Sequence, residues 1–364
     1  MDQKLLDICE QVVANRQVLK KSHCFENGNM AALAGFVLAA QDRDVDIKKL
    51  KKCARILKHS GGLFSCINGF CRTIFLVSMM QEDDPEAFLD KAQTAYDQLS
   101  DDILCSEDYL MLASLRIARR YSEDEIYTVA HRVCSAVNTL EDSYSWITNE
   151  DDLCMAVILT LVGRDVEKVK EDADQCFHFL RNSFSRVRFP HIDDGLQAAS
   201  QVLSLSTMPA GEKCYKYIEI YKQMKKSNHA IHNDRAMMAY AAFVDLDAPT
   251  AELVESLAEV ESWLRRQAGF KSMVGATPAI RRTFASAIVL NYYQRKAAGD
   301  IAVAVDELTQ EVLTETLTSR LLMVMYMATR VMRLKNQEEE YGKLSKDRDL
   351  VAGLTKAVKK KSRK

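Results

Sequence analysis

An all-α protein built from αα-hairpin repeats is the fold class this sequence predicts, on three observations. Apolar segments that open on an acid or amide recur with a period of roughly 42 residues from about Asn27 to Leu334. Each is followed by a polar break and a segment whose apolar residues recur at three and four, the period of a helix with one wet face. The five prolines stand in the joints between segments, where the missing amide hydrogen does no harm. No run alternates with period two over enough residues to make a credible strand.

Taken in order, residues 1–26 read as an N-terminal capping helix, and 27–335 as about seven hairpin units. The first helices of the units open at Asn29 (NMAALAGFVLAA), Asn68 (NGFCRTIFLVSMM), Glu107 (EDYLMLASLRIA) and Glu150 (EDDLCMAVILTLV). Three more open at Asp193 (DDGLQAASQVLSL), Asn233 (NDRAMMAYAAFV) and Thr277 (TPAIRRTFASAIVL). An acid or amide stands five residues before an alanine in Asn29 and Ala34, Asp108 and Ala113, Asp151 and Ala156, Asp193 and Ala198, and Asp234 and Ala239. Such a residue suits the helix start, where a side-chain oxygen accepts from a free first-turn amide, and the small alanine lets a neighbouring helix approach.

These first helices are apolar almost all round, which places them inside. The second helices are amphipathic and lie outside: PEAFLDKAQTAYDQL, EDEIYTVAHRVCSAVNTL, DVEKVKEDADQCFHFLRNSF, GEKCYKYIEIYKQMKK and TAELVESLAEVESWLRRQ. Pro85, Pro209 and Pro249 separate inner from outer helices, and Pro190 and Pro278 separate units. Two arrangements follow, a curved solenoid with a concave face or a closed α/α toroid whose inner helices surround a funnel. Residues 336–364 form a charged, mobile tail ending in Lys356, Lys359, Lys360, Lys361, Arg363 and Lys364.

Composition is that of an ordinary soluble chain, with a formal net charge of −2 that opposes general attraction to nucleic acid or anionic membrane. No apolar run reaches the roughly 18 residues of a membrane span, and MDQKLLDICEQ is too polar for a signal peptide. The ten cysteines carry no CxxC spacing and read as reduced, buried thiols, which together with the missing export signal predicts a cytoplasmic protein.

Chemistry, if present, belongs to the acidic starts of the inner helices, which share one end of the array in either arrangement. Asp108, Asp151, Asp152, Asp193, Asp194 and Asp234, with Glu107 and Glu150, would ring one mouth. Such carboxylates can bind a cation, hold a polyamine or supply an acid and a base with separated pKa values. The other reading of the same residues is capping, since a carboxylate is favoured beside the positive end of any helix. Within the ring, His191, His229, His232 and Asp234 offer imidazoles and a carboxylate from neighbouring starts, a donor set for a divalent metal, although HAIH in a loop is no established signature. No cofactor is otherwise evident. Trp146, beside the mouth, is either a core residue or a stacking surface for a ligand.

Terpene-synthase chemistry is opposed by the missing DDxxD segment and its Asn/Ser/Glu companion, despite EDD at Glu82–Asp84 and Glu150–Asp152. Walker, GxGxxG and GxSxG patterns are absent too. The stretch ITNEDDLCMAVILTLVGRDVEKVKEDADQCFHFL from Ile147, continued through LQAASQVLSL, resembles an uncharacterised domain-of-unknown-function family of all-helical proteins from Gram-positive bacteria. The likeness extends over roughly residues 60–295 and departs at Tyr144, where the family pattern carries a histidine. That resemblance implies a fold and no reaction, cofactor or catalytic residue. Two function classes follow: a non-enzymatic repeat module binding a protein or peptide partner, or an enzyme or small-molecule binder using the acidic funnel. Oligomeric state is open.

Overall fold

The computed structural model describes residues 1–22, 28–60, 70–103, 107–141, 151–185, 192–230, 237–271 and 276–300. Fourteen helices and no strand occur among them. The odd-numbered helices are α1 (Gln3–Lys21), α3 (Ile47–His59), α5 (Pro85–Asp102), α7 (Glu123–Glu141), α9 (Val166–Ser183), α11 (Ala210–Lys226) and α13 (Thr250–Leu264). The even-numbered ones are α2 (Gly28–Ala39), α4 (Phe70–Gln81), α6 (Glu107–Arg120), α8 (Asp151–Val162), α10 (Ile192–Leu203), α12 (Met238–Ala241) and α14 (Pro278–Asp300). All lie within one compact unit, Met1–Leu322; a second, Met323–Lys364, and with it the expected tail, lies outside the described residues.

The two sets pack in separate rows. In the even row α2 lies on α4, α4 on α6, α6 on α8, α10 on α12 and α12 on α14; in the odd row α3 lies on α5, then α5 on α7, α7 on α9, α9 on α11 and α11 on α13. The rows differ as their sequences require. Every residue of α2 from Met30 to Ala39 is buried, whereas α3 buries only Leu50, Cys53 and Leu57, one stripe of the helix.

Starts and stops follow local chemistry. Asp46 caps α3 by accepting from the Lys49 amide at 2.9 Å, and Asp84 caps α5 through the amides of Glu86 and Ala87, with Pro85 at the first helical position. Asp2 and Asp165 do the same for α1 and α9. The described aspartate caps thus sit at odd-row helices. Of the helix expected from Asn233, residues 233–236 lie outside the described residues; α12 spans Met238–Ala241, and the chain then tightens through i→i+3 bonds from Phe243 to Tyr240, Val244 to Ala241 and Leu246 to Phe243, ending the helix before its pattern does.

α1 packs on its successor α2 and also on α13 and α14 near the far end of the described chain. Its approach to α2 is close: a Cβ on Gly35 would stand 2.8 Å from the Val12 carbonyl oxygen, so the crossing needs glycine there. Arg16 donates to Gly28 O at 3.3 Å and Ala268 O at 2.9 Å and lies over the Phe270 ring. Gly269 makes room for it, with φ +90° and its absent Cβ coinciding with the guanidinium. From α14, Asn291 donates to Ala40 O at 3.4 Å, just past the end of α2, and Arg295 donates to Ala39 O, on its last residue.

Candidate functional site

Most residues expected at the acidic mouth fall where side chains are outside the description. Backbone places Asp108 second in α6, Asp151 and Asp152 first and second in α8, and Asp193 and Asp194 second and third in α10. The side chains of Asp108, Asp151, Asp152 and Asp194, and the whole of His191, His232, Asp234 and Trp146, lie outside the described residues. Asp193 is described: half exposed, it forms an ion pair at 3.5 Å with Arg181 in the last turn of α9. The cation at a helix C-terminus and the carboxylate at the next helix start each suit their dipole end.

His229 is the other described candidate. α11 ends at Lys226, Asn228 takes the left-handed conformation at φ 63°, and the His229 amide turns back to Met224 O at 2.9 Å, a Schellman closure. The turn aims the ring at α13, where its Nδ1 hydrogen-bonds to the Glu261 carboxylate. With that carboxylate ionised, Nδ1–H is the donor and Nε2 is the nitrogen left over. Tyr240 donates to His229 O at 2.8 Å and fixes the same loop from the α12 side.

Glu261 is the centre of this cluster, buried in the last turn of α13, where the helix dipole disfavours a negative charge. Arg281 of α14 offsets that with two donors to Glu261 Oε1, Nε at 3.3 Å and Nη2 at 3.1 Å, while its Nη1 reaches Phe270 O at 3.1 Å. Arg282 Nε lies 3.7 Å from Glu261 Oε2, and its terminal nitrogens donate to Ala230 O at 2.6 Å and Asn228 O at 2.7 Å. One carboxylate therefore gathers α13, α14 and the loop after α11.

A second buried charge lies between α9 and α11. The Lys213 side chain is 1% exposed; its Nζ donates to Asp172 and to Ser206 O at 3.2 Å. Ser206 Oγ continues the chain to Asp245 Oδ1 at 2.5 Å. The Cys176 and Cys214 thiols lie beside this pair, and hydrogen bonding between them together with burial pushes the Cys176 thiol far above its ordinary range. Burial pushes Cys9 up to about 12 and raises Cys53 and Cys134 as well. A thiol held neutral and shielded is a poor nucleophile. Cys9, Cys53, Cys134 and Cys176 are accordingly expected to react with a maleimide at pH 8 about tenfold or more slowly in the native protein than after unfolding in guanidinium, followed by peptide mapping.

A further charged feature stands on α3. IKKLKKCARILKH holds six lysines and arginines and no acid in 13 residues, a signal available from composition alone. Lys48, Lys51, Lys52, Arg55 and Lys58 are exposed, and no described carboxylate forms an ion pair with any of them. Every other ionic cluster described above has both signs in contact; this row has one. Among the described residues no group of three or more His, Cys, Asp or Glu side chains is disposed to hold a metal, and no helix is long and apolar enough to cross a membrane.

Comparison with known proteins shows that the model of the family described as "Protein of unknown function (DUF4003)" matches residues 15–325 of the chain. No curated protein and no solved structure matches the chain.

Proposed function

We propose that this chain, which belongs to the DUF4003 family of proteins of unknown function, is a non-enzymatic helical-repeat module that binds a protein or peptide partner. The observation that carries the reading is the state of the buried ionisable groups. Glu261 is held by Arg281, Arg282 and His229, and Lys213 by Asp172 and a carbonyl, so these charges are committed to holding helices together. Unpaired charge stands instead on an outer helix, where a macromolecule can reach it.

The array closes into an α/α toroid in this reading, the even row inside and the odd row outside. Support comes from the terminal contacts: Arg16 to Ala268, Asn291 to Ala40, Arg295 to Ala39, and the Met1 amino group to Glu259 at 2.7 Å. Ring closure leaves no terminal hairpin with a bare face, which a solenoid has to cap. A cytoplasmic setting goes with it, supported by five free buried cysteines.

The rival reading keeps the acidic starts of α6, α8 and α10 as a metal or small-molecule site. Elemental analysis and native mass spectrometry of the purified protein separate the two. No stoichiometric resident, a mass equal to that of the bare chain in wild type, Asp151→Asn and His232→Ala alike, and unchanged stability in both variants are the expected results. A metal or small molecule present at one equivalent and lost in those variants would replace the binding module with a funnel enzyme.

A further inference from the structure

We infer that the outward face of α3 is a docking surface for an acidic segment of a protein partner, an assignment that rests on the binding-module reading and names the chemistry of its partner. Lys48, Lys51, Lys52, Arg55 and Lys58 recur at three and four, so they share one side of the helix. The row is about 15 Å long at 1.5 Å per residue. Its opposite side, Leu50, Cys53 and Leu57, is buried in the protein. Five like charges on one helix face repel one another, an arrangement that an incoming set of carboxylates relieves.

Charge complementarity calls for an anion, and three features favour an acidic protein segment over a membrane or nucleic acid. A membrane-surface helix commits its apolar face to the bilayer, whereas the apolar face of α3 is spent on the protein core. Nucleobases need aromatic or planar stacking surfaces, and α3 has no Phe, Tyr or Trp and a single arginine among six cations. Asp42, Asp44 and Asp46, all exposed, immediately precede the row, and the whole chain carries −2. A broad polyanionic surface meets those aspartates as well as the lysines. A short segment lies along the row alone, and the change of sign between Asp46 and Lys48 sets its register. Ile47, exposed at 43%, stands at that boundary and gives the segment one apolar contact.

The test is fluorescence anisotropy with the full chain titrated into a labelled oligoglutamate peptide of about twelve residues at low salt. Saturable binding is expected, weakened about tenfold or more by Lys51→Glu, Lys52→Glu and Arg55→Glu together, and lost as salt shortens the screening length. The matched variant Lys222→Glu, Lys225→Glu and Lys226→Glu, on exposed positions of α11, changes net charge equally and is expected to leave affinity within about twofold. If the charge-reversed α3 variant unfolds, the glutamine version at the same positions carries the comparison. Absence of peptide binding, or equal loss in both triple variants, overturns the assignment. So does α3-dependent binding that is tighter to phosphatidylglycerol vesicles or to polyuridylate than to the peptide. If the assignment fails while the purified protein holds no metal or small molecule, the binding-module reading survives without α3; a resident ligand defeats that reading independently.

Discussion

Glu261→Ala is expected to destabilise the fold by about 3–5 kcal/mol, the cost of removing one partner from a buried ionic cluster. The magnitude follows from what the substitution strands. Arg281, the most deeply buried of the three, loses both bonds to Oε1, Arg282 loses its nearest carboxylate, and the His229 imidazole loses its acceptor. Arg281 is 4% exposed, so its guanidinium cannot turn to solvent without opening the contact between α13 and α14. Glu261→Gln keeps one acceptor for Arg281 and should cost less than alanine. The paired change Glu261→Met with Arg281→Met is the informative control, because an apolar pair of similar size avoids the stranded charge. Guanidinium unfolding curves should then rank wild type, the methionine pair and Glu261→Ala in falling order of midpoint. A methionine pair as unstable as the alanine variant would mean that the hydrogen bonds to Phe270 O and across the cluster, rather than charge balance, hold this corner.

That cluster also marks where sequence reading stops. Helices were legible because their determinants are local: the wholly apolar run of α2, the Asp84-Pro85 start of α5, and the amphipathic period of α9 lie within single segments. Glu261 was not, since in TAELVESLAEVESWLRRQ a glutamate reads as part of the wet face. Its burial depends on Arg281, 20 residues on, and on His229, 32 residues back. The sequence groups His229 with His191, His232 and Asp234 as a metal candidate, while its described partner, Glu261, comes from another helix. Lys213 is concealed in the same way inside GEKCYKYIEIYKQMKK, where five lysines look alike and one is buried against Asp172. The early end of α12 has a different reason: the composition of NDRAMMAYAAFV suits a helix as far as Val244, but the chain turns after Ala241 through i→i+3 bonds that composition does not encode. The row on α3 stands in the composition of IKKLKKCARILKH alone, and a net charge of −2, averaged over the whole chain, hides it.

Removal of residues 1–22 is expected to abolish cooperative unfolding, and its distribution of damage tests ring closure. α1 contributes Leu5, Ile8, Cys9, Val12, Val13 and Leu19 to the core. At about 1.5–3 kcal/mol for each large apolar side chain, the burial lost rivals the whole net stability of a domain, about 5–15 kcal/mol. In an open solenoid that loss falls on the first hairpin and fades with distance along the array. In a toroid it falls on both ends of the chain at once, since α1 touches α2 on one side and α13 and α14 on the other. Arg16→Ala is the graded form, expected to cost about 2–4 kcal/mol because it leaves Gly28 O and Ala268 O without a charged donor and empties the space over Phe270. Hydrogen exchange on Arg16→Ala should show protection falling in α2, α13 and α14 together while α7 and α9 keep theirs. Loss confined to α2 would mean that the terminal contacts carry no stability and that the array behaves as an open one; loss at both ends makes α1 the segment through which the first and last hairpins stabilise each other.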